Sequence, residues 1–267
     1  MFRFKKFPSF KKTKEGHIIL DEPIHFKNEM LSFRKTKDGH IILDEPLGQK
    51  GKLKESEDHT DETHAASEYN YKHHDSNVDL SDKLHKATAS HMSDEDKGHI
   101  RAFTGQDQRN PNRNGSYTLN KRLARGEEPT GHLKDMHDTI MKHAKASGHE
   151  HHVFSGTSRD LGSLAKQSKD GIIHTAAHTS ATHALHIARQ FSDHKFADSH
   201  DNTTRHMVHI HVKPHDKILH TSKHSEYSTE HETVIPAGTK LKYSHSSDHD
   251  NDGDHYRVHH FTIHSQK

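Results

Sequence analysis

The chain has 267 residues and is close to electrically neutral, with 39 basic and 38 acidic side chains, so it carries no global field to draw in nucleic acid. It has no cysteine, which excludes disulfides, thiolate metal sites and a cysteine nucleophile. No apolar run reaches the roughly 20 residues that cross a bilayer, so neither membrane insertion nor direct nucleic-acid binding is expected. Leu, Ile, Val and Phe supply only 46 of the 267 residues. That is below the roughly 20% at which disorder sets in, so a folded part joined to a largely disordered polar part is expected.

The first residues, Met1 to Phe7, are basic and aromatic and lack the apolar centre of a secretory signal, which points to a cytoplasmic protein. Ser9-Phe10-Lys11-Lys12-Thr13-Lys14-Glu15-Gly16-His17-Ile18-Ile19-Leu20-Asp21-Glu22-Pro23 recurs 23 residues later as Ser32 to Pro46. Each copy reads as a basic stretch, a Gly turn, a three-residue apolar strand and an acidic Pro stop. Residues 1–46 are therefore expected to be a duplicated docking segment outside the main fold, and the nearly apolar-free residues 47–80 a flexible linker.

From residue 81 the pattern becomes that of a domain. Helices are expected at Asp82 to Ala89, Met92 to Arg101, Thr118 to Gly126 and Leu133 to Ala146, the last with Leu133, Met136, Ile140 and Ala144 on one face. Strands follow at His152 to Gly156 and Gly171 to Ala177, then a helix at Ala184 to Phe191. Further strands are expected at Met207 to Val212, Lys217 to His220, Thr233 to Ile235, Lys240 to Tyr243 and Tyr256 to Ile263. In the Met207 strand, Val208, Ile210 and Val212 are the inward positions. Helices first and short strands after make an α+β domain over 81–267.

Glu230 and Glu232 precede a short apolar strand and a Pro-x-Gly turn. They are read as one strand with it, so both face one way and His231 the other. Two carboxylates on one rigid element can stabilise a cation and accept a proton in one reaction, which suits cleavage of an N-glycosidic bond.

Histidine is the other oddity: 35 residues, ten before position 130 and 25 after. No His-Glu-x-x-His or comparable ligand spacing occurs, so no metal ligand is assigned and the enrichment is read as substitution of surface polar residues. A histidine-rich metal-binding or structural protein is the alternative reading.

The pieces Ala102-Phe103-Thr104-Gly105, Phe154-Ser155-Gly156-Thr157-Ser158-Arg159, Ala177-His178-Thr179-Ser180-Ala181-Thr182 and Glu230-His231-Glu232 occur in that order. Together they resemble the arginine-type mono-ADP-ribosyltransferases, a family that includes binary-toxin enzymatic domains and enzymes of T-even-like phages. The resemblance spans about residues 85–265 and implies the family's split β-sandwich with N-terminal helices. It also implies NAD as substrate, transfer of ADP-ribose to arginine of a protein, and release of nicotinamide. Glu232 falls on the catalytic glutamate and Glu230 on the upstream one. Thr179 and Ser180 fall on the last two residues of the family's Ser-Thr-Ser, with His178 in place of the first. Ser155, beside Gly156, stands where the family has an arginine, and Arg159 is left to hold the NAD phosphates. If the chain comes from a phage, the resemblance further implies a host transcription or translation protein as acceptor, the host cytoplasm as location, and packaging in the virion as a route there.

Overall fold

The structure, a computed structural model, describes residues 33–43, 80–86, 91–105, 115–157, 159–192, 204–221, 223–225, 230–251 and 254–266, and the backbone of Phe10–Lys12 and Ile18–Leu20. The chain divides into two compact units, Met1–Met30 and Leu31–Lys267. The expected linker lies almost wholly outside the described residues.

The repeated sequence folds the same way twice. In the first unit β1 (Phe10–Lys12) pairs with β2 (Ile18–Leu20) in antiparallel register, Phe10 opposite Leu20. In the second, β3 (Phe33–Lys35) pairs with β4 (Ile41–Leu43), Phe33 opposite Leu43. The turn of the second hairpin carries Gly39 at φ 86°, a conformation natural to glycine. The expectation that both copies stand outside the domain fails for the second one. Its β4 runs parallel to β7 (Ile172–Thr175), Ile41 opposite Ile173, and extends the main sheet. Ile41 and Leu43 are each 1% exposed within the core, and Arg34 donates to the last-turn carbonyl of Ala124 at 2.6 Å. Those two buried side chains tie this hairpin to the core as a sheet edge. Leu43→Ala is expected to cost about 3 kcal/mol; urea unfolding of the full chain would show it as a lowered midpoint with unchanged slope.

A short helix, α1 (residues 80–86), precedes α2 (Asp94–Thr104), α3 (Gly115–Ala124) and α4 (His132–His143). The Ser93 hydroxyl caps α2 by accepting from the Asp96 amide at 3.1 Å, and three acidic residues occupy its first turn. Ile100, Phe103, Leu119, Met136 and Ile140 bury the facing sides of these helices against Leu219 and Val234 of the sheet.

Eleven strands form that sheet, in the order β3-β4-β7-β12-β13-β9-β6-β8-β11-β10-β5. The strands not yet placed are β5 (Lys145–Ala146), β6 (His151–Thr157), β8 (Thr179–Thr182), β9 (Thr204–Val212), β10 (Lys217–His220), β11 (Glu232–Ile235), β12 (Thr239–Asn251) and β13 (Asp254–Ser265). Among the described residues β6 and β8 share one register pair, Phe154 with Thr182, and there the sheet splits into two halves. Val208, Ile210, Ile173, Leu241 and Phe261 from one half meet Ala181, Ile218 and Ile235 from the other in one core, as a split β-sandwich requires. Helix α5 (Leu161–Gln167) closes this core, and α6 (Leu185–Phe191) lies on β6.

Four features differ from the sequence expectation, one being β5, since the helix expected to reach Ala146 stops at His143. Strand β8, Thr-Ser-Ala-Thr, has no apolar alternation, and α5 is only seven residues long. The β12–β13 arm continues past Tyr243 to Asn251 through residues too polar to read as strand. Polar cross-strand pairs hold the arm, including the Arg257–Asp248 ion pair at 2.7 Å.

Candidate active site

A cleft opens where the sheet splits. Phe154, Ser155 and Gly156 of β6, Ser180 to Thr182 of β8, and Ile187, Ala188 and Phe191 of α6 line it, together with Glu230 and Glu232. Both carboxylates are buried, Glu230 at 6% and Glu232 at 3% exposure.

They arrive there by a different route from the one the sequence suggested. Strand β11 begins at Glu232, so Glu230 is not on it. His231 between them has φ 46°, a left-handed conformation costly for a residue with a Cβ. A turn, and not strand alternation, therefore brings Glu230 back into the cleft. Neighbours over-determine that turn. The Thr182 hydroxyl donates to the Glu230 carbonyl at 2.6 Å, and the His183 amide to the His231 carbonyl at 3.4 Å. The Thr221 amide and hydroxyl both donate to the Glu232 carbonyl, at 3.1 and 2.9 Å. The Ser225 hydroxyl reaches Glu232 Oε2 at 3.4 Å.

Register decides the role of β8. Thr182 lies opposite Glu232 and Ser180 opposite Val234, so Ser180 and Thr182 share the face of Glu232. Thr179, opposite Ile235, is on the other face, 1% exposed and outside the cleft lining. Thr179 therefore lies away from the cleft, which Ser180 and Thr182 line. His178 also lies outside the cleft lining. It is fully buried beneath Phe103, its Nδ1 accepts from the Ala237 amide at 3.0 Å, and its backbone is bracketed by Asn120 at 3.1 Å on both sides.

Ser155 is in the cleft, and its hydroxyl donates to the Ser180 carbonyl at 2.9 Å, bridging the split. Gly156 is there for want of a side chain: a Cβ would lie 2.5 Å from the backbone of Ala188, Phe191 and Ser192. Gly156→Ala is expected to displace α6, one wall of the cleft, and to cost about 1–3 kcal/mol. Unchanged stability and ligand affinity in that variant would refute the packing role. Arg159 sits beyond the end of β6, its amide bonded to the Thr157 hydroxyl at 3.2 Å, and does not line the cleft. Among the described lining residues there is no Arg or Lys.

The helices, the split sheet and a carboxylate pair at the split define the ADP-ribosyltransferase fold, and solved structures agree. The chain is similar to Plx2a, an ADP-ribosyltransferase toxin from Paenibacillus larvae, with a TM-score of 0.55 and 14% identity over 72% of this chain and 96% of that one. It is also similar to BECa, an ADP-ribosylating toxin of a binary enterotoxin of C. perfringens solved with NADH, with a TM-score of 0.51 and 13% identity over 70% of this chain and 48% of that one. No protein-family model and no curated protein sequence matches the chain. No helix among the described residues is long and apolar enough to cross a membrane.

Proposed function

We propose that this protein is an NAD-dependent mono-ADP-ribosyltransferase that modifies arginine on a protein and releases nicotinamide. The observation that carries this reading is the burial of Glu230 and Glu232 in one cleft walled by Phe154 and Phe191, within the ADP-ribosyltransferase fold. The aromatic walls suit the nicotinamide ring. The bond from ribose C1′ to the nicotinamide nitrogen breaks, and its electron pair leaves with the ring. The cation left on the ribose is stabilised by the Glu232 carboxylate. A guanidinium nitrogen of the acceptor then attacks C1′, and Glu230 takes the proton it must shed, since arginine stays protonated in water. Ser180, Thr182 and Ser225 position these two carboxylates and the ring. With no cation in the described lining, the nicotinamide–ribose half of NAD is the part whose chemistry the cleft matches. Arg159 remains the candidate for the phosphates outside it.

Glu230 supports arginine as the acceptor: a second carboxylate suits a guanidinium that stays protonated in water. A host transcription or translation protein in the cytoplasm is the acceptor we infer for a phage-borne chain. Incubation with labelled NAD and an arginine-rich protein should release nicotinamide and label the protein at arginine. Release with label on another residue type would overturn the arginine assignment, and no release would overturn the enzyme.

A further inference from the structure

The expectation that histidines replace surface residues is wrong for much of this chain, because ten of them are buried among the described residues. Three converge: His85 on α1, His183 just after β8 and His220 at the end of β10 are 1%, 0% and 5% exposed. One ring nitrogen from each lies within 4.8 Å of the other two. We propose that His85, His183 and His220 form a buried site for one divalent transition-metal ion of the zinc class. The site braces the turn that carries Glu230 and Glu232.

The hydrogen bonds around His220 leave one of its ring lone pairs for a metal. The Thr233 hydroxyl donates to the Leu219 carbonyl at 2.9 Å, so toward His220 Nδ1, at 3.4 Å, it offers only a lone pair. That places the His220 proton on Nδ1, and Nε2, buried without a hydrogen-bond partner, keeps its lone pair. The His183 Nδ1 faces the His231 carbonyl at 3.4 Å and is likewise the protonated nitrogen. One nitrogen of His85 is engaged by the backbone of His220. Backbone and hydroxyl partners that hold one nitrogen and aim the other are the outer shell that metal-bound imidazoles have. His151 stacks on His183 with ring centres 5.1 Å apart and lies outside the three whose ring nitrogens converge. A metal takes the neutral imidazole, the form that burial of all three rings favours. An all-imidazole set suits zinc and its neighbours cobalt, nickel and copper, and its burial suits a structural ion and not a catalytic one.

The ligands adjoin the active-site backbone. His183 follows Thr182, which bonds the Glu230 carbonyl, and its own amide bonds His231. His220 precedes Thr221, which bonds the Glu232 carbonyl twice. A metal there would tie α1, β8 and β10 behind the left-handed His231.

The full chain, stripped with chelator and titrated with zinc or cobalt ion alone, tests this without reference to NAD. One tight equivalent is expected, with the intense visible absorption of tetrahedral cobalt and a raised melting temperature. His220→Ala should lower affinity by more than the 10–100-fold that loss of an outer-shell partner costs. His264→Ala, on an exposed position of β13, should leave it unchanged. Because His220→Ala risks misfolding, the wild-type cobalt spectrum decides independently. Weak, multi-equivalent binding without that absorption, or tight binding that a folded His220→Ala retains, would overturn the site.

Discussion

Glu232→Gln is expected to lower nicotinamide release from NAD by at least about 100- to 1000-fold, the usual effect of deleting one group aimed at transition-state charge. The substitution keeps the side chain's shape, so the Ser225 contact at 3.4 Å and the backbone bonds from Thr221 can persist while the charge is lost. Glu230→Gln is expected to behave differently. Its carboxylate is assigned to the acceptor's proton and not to the ribose cation, so slow release of nicotinamide to water should continue while labelling of arginine falls to background. Parallel assays of nicotinamide and of labelled protein separate the two roles. Equal loss of both activities in the two variants would mean that the carboxylates act as one unit, and would remove the division of labour proposed here. A melting curve for each variant guards against a folding artefact, since both side chains are buried.

Between pH 7 and pH 5, chelator-treated protein is expected to lose about 4 kcal/mol of stability from two histidines alone. Burial, with His137 beside it, pushes His178 down to about 3. Burial and the neighbouring His206 push His259 down to about 4, against the opposing pull of Asp160. Both are uncharged in the folded chain and titrate near 6.5 when unfolded. Above 6.5 neither state binds the proton and the full stability is present. As pH falls below 6.5 the unfolded chain takes up protons that the folded chain cannot, at about 1.4 kcal/mol per group and pH unit, until the folded values are reached. His209, lowered to about 2, and His260, lowered to about 4, add in the same direction. They are in contact, Nδ1 to Nδ1 at 2.8 Å, so their shares are not independent. For His178 the structural cause is specific: a proton on Nδ1 would break its acceptance of the Ala237 amide. Urea unfolding at the two pH values decides the matter, and equal midpoints would sink it. Chelator keeps proton-linked metal loss out of the comparison.

Sequence alone determined the chain order of nearly every element, because each rests on local chemistry. The 3.6-residue spacing of Met136 and Ile140, the alternation of Val208, Ile210 and Val212, and the Pro-x-Gly turn after Ile235 are readable without any distant partner. It also singled out Glu230, Glu232, Ser155, Gly156 and Ser180, all of which line one cleft. What it could not supply depends on register and burial, which are properties of pairs. That Thr182 and not Thr179 accompanies Glu232 follows from the β8–β11 pairing, and a shift of one residue would have reversed it. That Glu230 reaches the cleft through a left-handed His231 depends on bonds from Thr182 and His183, some 48 residues away. Whether a histidine is a solvated polar residue or part of a buried ligand set is invisible in a sequence with 35 of them. His85, His183 and His220 lie far apart in the chain, and only the packing of α1 against the ends of β8 and β10 turned them into a cluster. The repeat makes the same point: two nearly identical segments form the same hairpin, yet the tertiary structure places Ile41 and Leu43 of the second in the core.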